Sequence, residues 1–295
     1  MELPTATLPR PRPDFAAIQR WQHDSRPLGE IVAQYQRERR LAERLKSASP
    51  AERTRLYTEI NAEPTGAQVA PPHDATEHDA AARAFQADLR ILARFVTPQM
   101  TFLDIGCGDA VIPFAMARLT AVSIGLDVTD RRIDHAAAPA NFRFLHAGGS
   151  AIGLPDETVD FVSSNQVMEH LHPDDAVTQL REVHRVLKPG GRYLCRTPNR
   201  LTGPHDVSCH FDYEATGAHI REYDCRAIAH LLHAARFRRV SFLLIVRHRL
   251  LGRVPQSLQA LAEAVLEPLP RPLRTSVRAL KLLRPLLGVN ALAEK

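Results

Sequence analysis

The sequence FLDIGCGDA at residues 102–110 carries the strongest local signal in the chain. A short apolar run meets a helical pattern through two glycines, which predicts a strand, a tight turn and a helix. Because Gly106 and Gly108 have no side chains, the backbone can turn sharply and approach a ligand closely. Two glycines alone predict only a turn, so the ligand needs further evidence.

That evidence is an acid at the end of the next apolar run. Asp127 follows Gly106 by 21 residues and ends the run Ser123–Leu126. An acid at this distance lies at the tip of the adjacent strand, where it can accept hydrogen bonds from ribose hydroxyls. Ligands of open α/β sheets bind at these carboxyl ends, where the strand order reverses. The two features together predict a nucleoside-type ligand.

A dinucleotide is the main alternative ligand. Its fingerprint needs a small residue at position 111, so that the helix packs closely and its N-terminus reaches the pyrophosphate. The β-branched Val111 stands there. This argues against NAD(P) and leaves room for a nucleoside without phosphates, such as S-adenosyl-L-methionine (SAM).

Short apolar runs alternate with helical patterns on both sides of this turn, and ten of the 14 glycines lie in residues 101–217. Such alternation predicts a Rossmann-like, doubly wound and mainly parallel α/β sheet covered by helices on both faces. The predicted strands are Thr101–Ile105, Val122–Val128, Asn141–Leu145, Val159–Ser164, Arg192–Thr197 and Arg239–Arg247. The predicted helices between them are Ala110–Leu119, Asp174–Lys188 and Cys225–Ala235.

We predict three parts in the chain. Residues 1–75 form a Pro-rich start without fixed structure and a helical extension, residues 76–246 form the ligand-binding domain, and residues 247–295 form a basic helical tail. The outer helices are predicted at Leu28–Lys46, at Pro50–Ile60 behind a capping box at Ser49–Glu52, at Thr76–Val96, at Gln256–Glu267 and at Leu273–Leu283. Residues 61–73 are predicted to form a loop.

Residues 101–246 resemble the class I SAM-dependent methyltransferases, in the branch that includes the ubiquinone-biosynthesis methyltransferases. The motifs that carry the resemblance are LDIGCG at 103–108, GLD at 125–127, GSA at 149–151, LP at 154–155, VDFV at 159–162, MEHL at 168–171, RVLKPGG at 185–191 and TPN at 197–199. The resemblance implies SAM as the cofactor and a seven-stranded sheet with one antiparallel strand near its edge. The seventh strand has no obvious counterpart in the sequence.

The resemblance also implies the cofactor contacts. Asp104 and the glycine backbone would hold the methionyl end, Asp127 the ribose, Ser150 and Ala151 the adenine, and the residues after the fourth strand the methionyl side. In full, the candidate contacts are Asp104, Gly106, Cys107, Gly108, Asp127, Val128, Ser150, Ala151, Asn165 and Gln166. Ser150 departs from the family, which commonly has an acid there, and Asp109-Ala110 departs where the family often has a third glycine.

Methyl transfer needs an aligned acceptor, and a hydroxyl acceptor also benefits from a base. The segment Thr197–Tyr223 follows the fifth predicted strand and contains three histidines, whose ordinary pKa suits proton transfer. We predict His205, then His210, then His219 as the base, with Asp206 able to orient a neighbour. The alternative for each histidine is a turn or surface role.

No metal is predicted. Glu169-His170 with a later loop histidine is similar to the metal site of small-RNA 2′-O-methyltransferases, but that motif has a further glutamate where Gln166 stands here. A neutral amide is a poorer ligand for a hard metal ion.

The formal charge of +5 is concentrated at one end of the chain. Residues 247–295 contain nine Lys or Arg and three acids, a balance of +6, so residues 1–246 carry −1. This argues against a generally basic nucleic-acid-binding protein, and no nucleic-acid partner is predicted. The basic helix at Leu273–Leu283 either packs on the core with a solvated basic face or lies on an anionic membrane surface.

The sequence therefore predicts a SAM-dependent methyltransferase that acts on the oxygen of a small-molecule, glycan or lipid-linked acceptor. An NAD(P)-dependent oxidoreductase and a catalytically silent SAM-binding partner module are the alternatives. The N-terminus lacks an apolar signal region, and the longest apolar run, Val240–Val246, is far too short to span a membrane. We therefore expect a cytoplasmic protein, either free or peripheral at the membrane.

Overall fold

The computed structural model describes residues 8–22, 24–62, 75–148, 150–246, 249–271, 273–274 and 288–295. The side chains of residues 60–62 and 75–81 are outside this description. The predicted loop at 61–73, the motif residue Gly149 and most of the helix predicted at Leu273–Leu283 lie outside the described residues.

The strands of the described part form one sheet of eight. In chain order they are β1 (Thr101–Ile105), β2 (Val122–Asp127), β3 (Phe142–His146), β4 (Val159–Asn165), β5 (Leu187–Thr197), β6 (Arg239–Val246), β7 (Arg249–Pro255) and β8 (Val289–Glu294). Their order across the sheet is β3-β2-β1-β4-β5-β8-β6-β7. Strands β1 to β5 pair in parallel, whereas β8 runs antiparallel to both of its neighbours. The predicted doubly wound, mainly parallel sheet is confirmed.

The strand count differs from the seven that the resemblance implied, and the tail is not all helical. β7 forms a hairpin with β6 at the sheet edge, and β8 inserts between β5 and β6. The β8 sequence VNALAE is short and includes Asn, Ala and Glu, which disfavour strands. Its buried position between two strands, with Ala291 and Ala293 fully enclosed, decides its conformation instead.

The described residues form eight α-helices, and seven of them lie on predicted segments, whereas the helix at Phe15–Gln22 was not predicted. The eight helices are α1 (Phe15–Gln22), α2 (Leu28–Ser47), α3 (Pro50–Ala62), α4 (Ala75–Leu92), α5 (Val111–Met116), α6 (Pro173–Val186), α7 (Cys225–Ala234) and α8 (Gln256–Leu266). The capping box is confirmed, since Glu52 accepts the Ser49 N–H at 2.8 Å. Among the described helices, none is both long and apolar enough to cross a membrane.

Successive residues of β1 point to opposite faces of the sheet and build two cores. Leu103 belongs to the larger core, which includes Leu180 of α6 and Ile228 of α7. Phe102 belongs to the smaller core under α4, next to Phe161 of β4. With both faces covered, the carboxyl edge of the parallel strands is the part of the sheet left for a ligand.

The N-terminal helices attach to the domain through buried polar contacts. On α3, Arg53 forms a bidentate ion pair with Asp175 of α6 at 2.7 Å, and Tyr57 donates to the same carboxylate at 2.9 Å. On α2, Tyr35 stacks on Phe211 with ring centroids 4.6 Å apart. The extension therefore packs against the loop that follows β5, which contains the candidate bases.

Candidate active site

The glycine turn forms a cradle that side chains would fill. Gly106 and Gly108 have φ values of +71° and +59°, which glycine adopts without strain. A Cβ at Gly106 would lie 2.5 Å from Val167 Cγ2, and one at Gly108 would lie 2.7 Å from Arg132 Nη2. At Gly106 both the backbone and the space therefore require glycine, whereas at Gly108 the backbone favours glycine and the neighbouring Arg132 side chain can move.

Asp127 ends β2 beside this turn. Its carboxylate accepts the Gly108 N–H at 2.8 Å and the Val128 N–H at 2.7 Å. These bonds fix the acid against the glycine turn, which in turn is held by the Gly106 N–H donating to Leu126 at 2.8 Å. The acid and the turn predicted from separate motifs therefore lie together.

Asp104 lies just before the turn and is a buried carboxyl group. Burial raises its pKa to about 7, against a hydrogen bond from Ser163 and the charge of Arg196, which lower it. A buried carboxyl with a raised pKa gains most from a nearby cation. The ammonium of a methionyl group is such a cation, so this residue fits the role that the resemblance implied.

The other candidate cofactor contacts differ in how exposed their side chains are. Cys107 is buried in a small cluster with Ala110 and Ile133. A Cβ added at Gly125 would lie 2.8 Å from the Cys107 Sγ. The Cys107 thiol therefore faces the protein interior. Ser150 is half-buried and Ala151 is exposed in the loop after β3, next to Gly149, which is outside the described residues.

The packing argument against NAD(P) is not supported by the structure. Val111 is 46% exposed at the start of α5, so its branched side chain does not separate the helix from the strand. The residue that packs there is Ala110, which is fully buried and has a φ of 62°. The choice between ligands therefore depends on the family match reported below.

A cavity of about 390 Å³ opens at the carboxyl ends of β4 and β5. Asn165 and Gln166 line it from β4, Arg196 from β5, and Thr202 and His205 from the loop that follows. Asn165 and Arg196 are neighbours in the sheet register. Of the three candidate bases, His205 is the one placed in this lining.

A residue that the sequence did not indicate holds His205 in place. Glu222 is buried, and its Oε2 lies 3.1 Å from His205 Nδ1 while its Oε1 accepts the His205 backbone N–H at 2.7 Å. Burial raises the pKa of Glu222, but hydrogen bonds from His205 and His219 outweigh it and bring the pKa to about 2. In the sequence, Glu222 is a single acid in a polar loop, and no motif around it indicates its role.

His219 lies on the far side of the same carboxylate. Its Nδ1 is 2.7 Å from Glu222 Oε1, and its backbone N–H donates to Asp206 at 3.0 Å. Burial lowers its pKa, but the Glu222 hydrogen bond and the charge of Asp206 outweigh it and raise the pKa to about 8. Asp206 thus contacts His219 through the backbone, and its role in orienting a base stays a prediction.

His210 lies apart from this group. It is 1% exposed, its ring centroid is 5.2 Å from that of Phe15, and its Nε2 is 3.6 Å from Asp24. Burial lowers its pKa. The structure therefore places it among the N-terminal residues, not in the cavity lining.

Glu169, His170 and His219 form a further buried group. Their potential ligand atoms all lie within 4.8 Å of one another. Burial raises the pKa of Glu169 to about 7 and lowers that of His170 to about 4. These residues could hold a metal ion, so the prediction that none is required stays a prediction.

A doubly wound sheet with a glycine turn, and an acid at the tip of the next strand, define a nucleoside-binding α/β domain. Residues 103–195 match the methyltransferase domain family. This part of the chain is therefore similar to the SAM-dependent methyltransferases, whose cofactor is SAM. The glycine cradle, Asp127 and the buried Asp104 fit that cofactor.

Curated relatives agree with this assignment. The chain is 34% identical over 136 residues to a "probable S-adenosylmethionine-dependent methyltransferase" of Mycolicibacterium smegmatis, covering 46% of this chain and 51% of the relative. It is 34% identical over 106 residues to a ubiquinone biosynthesis O-methyltransferase of Ruegeria pomeroyi, covering 34% of this chain and 42% of the relative. The chain thus spans about half the length of these relatives or less.

A solved structure shares the fold. It is a complex of the Trm112 methyltransferase activator and a methyltransferase from Haloferax volcanii. The TM-score is 0.51 at 17% identity, over 75% of this chain and 94% of that one. At this identity the likeness shows the fold alone.

Proposed function

We propose that the chain is a SAM-dependent methyltransferase that methylates the oxygen of a hydroxyl-bearing acceptor, which is a small molecule, a glycan or a lipid-linked compound. The position of His205 is the observation that supports an oxygen atom as the methyl acceptor. It lines the cavity at the carboxyl ends of β4 and β5, close to the residues assigned to the methionyl side of the cofactor. The ubiquinone O-methyltransferase names of several relatives support the same acceptor atom.

When bound, SAM supplies a methyl group on a sulfonium; the carbon–sulfur bond breaks as the oxygen–carbon bond forms, leaving a neutral thioether. The residues of this chain orient the reactants and remove the proton. Asp104 and Asp127 orient the cofactor, and His205 takes the proton of the acceptor hydroxyl. Alignment and proton removal are the two contributions that such a reaction needs from a protein.

The first experiment tests the ligand. Calorimetry is carried out with SAM, its demethylated product and NAD(P), and we expect binding of the first two. Binding of NAD(P) without SAM would support an oxidoreductase instead.

The second experiment tests the acceptor atom with radiolabelled SAM. The probes are a catechol, a simple sugar and a primary amine, each with and without a chelator because of the Glu169–His170–His219 group. Methylation of a hydroxyl probe supports the proposal, and methylation of the amine alone contradicts it. SAM binding without transfer to any class of acceptor would favour a SAM-binding partner module.

The alternative in which the basic tail lies on an anionic membrane surface needs its own test. Removing residues 270–295 would also remove β8, which the structure places inside the sheet. Charge-reversal of Arg278 and Lys281 avoids this loss, and binding to anionic vesicles is then compared with the unchanged chain. Equal binding of both proteins would contradict a role for that segment.

A further inference from the structure

One buried carboxylate joins two of the candidate bases. Glu222 Oε1 lies 2.7 Å from His219 Nδ1 and also accepts the His205 backbone N–H, while Oε2 lies 3.1 Å from His205 Nδ1. Glu222 is 8% exposed and His219 6%, so both are shielded from water. Both carboxylate oxygens are therefore used by histidines.

The chain makes room for this carboxylate at a specific position. A Cβ at Gly203 would overlap Glu222 Oε2 and would lie 3.0 Å from His205 Nδ1. On the opposite side, Asp206 accepts the backbone N–H groups of Gly217 and His219 at 3.1 and 3.0 Å. The loop is thus folded closely around Glu222, and its two histidine rings have fixed positions.

The protonation of the two rings follows from the chemistry of the carboxylate. An ionised carboxylate only accepts hydrogen bonds, so the Nδ1 atom that faces it must carry a proton. A neutral imidazole with a proton on Nδ1 has its lone pair on Nε2. The Thr202 hydroxyl lies 3.3 Å from His205 Nε2 and 3.2 Å from the Asn199 carbonyl oxygen, so its hydrogen can be donated to either acceptor, and both Thr202 and His205 line the cavity at β4 and β5.

We infer that Glu222 is a positioning residue that fixes His205 as the Nδ1–H tautomer and so presents Nε2 to the cavity as the proton acceptor. This inference rests on the proposed O-methyltransferase function for its catalytic consequence. The tautomer itself does not depend on that function. Glu222 acts through His205 and need not touch the acceptor.

The substitution Glu222→Gln removes the negative charge of the side chain and keeps its shape. The amide has one acceptor oxygen and one NH₂ group, whereas both carboxylate oxygens face N–H donors. If the NH₂ faces His205, the ring takes the other tautomer, with its proton on Nε2. Nε2 can then no longer accept a proton.

The tautomer is read directly by NMR of protein with ¹⁵N-labelled histidine, with the His205 signals assigned by their loss in His205→Gln. For the neutral imidazole of His205, we expect a proton on Nδ1 in the unchanged protein and on Nε2 in Glu222→Gln. A proton on Nε2 of His205 in the unchanged protein would overturn the inference. This measurement stands even if the variant does not fold.

Kinetics supply the second readout, with methyl transfer to a hydroxyl probe. We expect Glu222→Gln to lower kcat by about 10²–10⁴-fold, because a base in the wrong tautomer is lost, while KM for SAM changes little. The matched control is Glu38→Gln, a buried glutamate that accepts the Ala218 N–H of the same loop at 3.0 Å and feels the charge of His219 without being hydrogen-bonded to His205. Burial raises the pKa of Glu38, so a neutral amide suits that site.

The outcomes separate the two proposals. An unchanged kcat in a folded Glu222→Gln protein would overturn the positioning role. The predicted tautomers together with no methylation of any hydroxyl probe would overturn the proposed function and leave the positioning of His205 intact. Equal losses in Glu222→Gln and Glu38→Gln would show a structural role for buried glutamates at this loop and would also overturn the inference.

Discussion

The carboxyl edge of the sheet has two halves that are built in different ways. At β1 and β2, the site consists of backbone and two acids from two short segments, with Asp127 bonded to the glycine turn at 2.8 Å. At β4 and β5, it consists of side chains from separate segments, with Glu222 joining His205 and His219. The first half is fixed by conformation, and the second by buried charge. Substitutions should therefore affect cofactor binding in one half and turnover in the other.

The largest expected effect tests whether the β4–β5 half performs the chemistry. His205→Gln should slow methyl transfer by about 10²–10⁴-fold, the usual contribution of a general base. SAM affinity should stay close to that of the unchanged protein, because His205 is not among the cofactor contacts. The rates are measured with the labelled-SAM assay and the affinity by calorimetry.

His210→Gln is the matched control, since this histidine is buried among N-terminal residues. It should leave turnover within a few-fold of normal. A larger loss with His210→Gln than with His205→Gln would reverse our order of the candidate bases.

The next effect tests the β1–β2 half. Asp127→Ala removes a charged acceptor for ribose hydroxyls, and hydrogen bonds to charged groups contribute about 1.5–3 kcal/mol, which corresponds to about 10–100-fold in SAM affinity. Calorimetry checks this loss. Asp109→Ala is the control, because this exposed acid lies in the same turn and its side chain accepts a long hydrogen bond from the Val111 N–H, at 3.4 Å.

The two halves of the site also differ in how much of each could be predicted from the sequence. The glycine turn and Asp127 were predicted because their spacing along the chain reflects the geometry of adjacent strands. Glu222 was not predicted, since its role depends on the close folding of a 27-residue segment, Thr197–Tyr223, which no local pattern specifies. The same holds for β8, whose conformation comes from its burial between β5 and β6. His210 shows the converse, because closeness in sequence to His205 did not place it in the cavity.

A smaller effect concerns the pH dependence of cofactor binding. The pKa of Asp104 is raised to about 7 in the free protein, and a bound ammonium favours the ionised form. Below pH 7 the carboxyl must lose a proton before it binds the cation, so affinity should fall about fivefold from pH 7 to pH 6. Above pH 8 this dependence should disappear. Calorimetry across this range checks the slope.

Asp104→Asn serves as the comparison for this slope. The amide cannot titrate, so its SAM affinity should be lower at pH 7 and nearly constant between pH 6 and pH 7. The same slope in the variant and in the unchanged protein would assign the titration to another group.

The smallest effect concerns the turn itself, where Ala110 occupies a left-handed conformation with φ 62°. Ala110→Gly relieves about 1–2 kcal/mol of backbone strain. It also removes a buried methyl group that contributes about 0.8 kcal/mol, and it adds about 0.4–1 kcal/mol of unfolded-state entropy. These terms nearly cancel, so the free energy of unfolding should change by less than about 1 kcal/mol.

Gly108→Ala should have a larger effect and a definite sign. It imposes the left-handed strain on alanine at φ 59° and places a methyl group 2.7 Å from the mobile end of Arg132. With only the entropy gain to offset it, the variant should lose about 1 kcal/mol of stability. Chemical denaturation of both variants measures the two changes. Equal destabilisation by both variants would show that the buried methyl group of Ala110 contributes more to stability than its backbone strain costs. Packing, and not backbone conformation, would then determine the structure of the turn at Ala110.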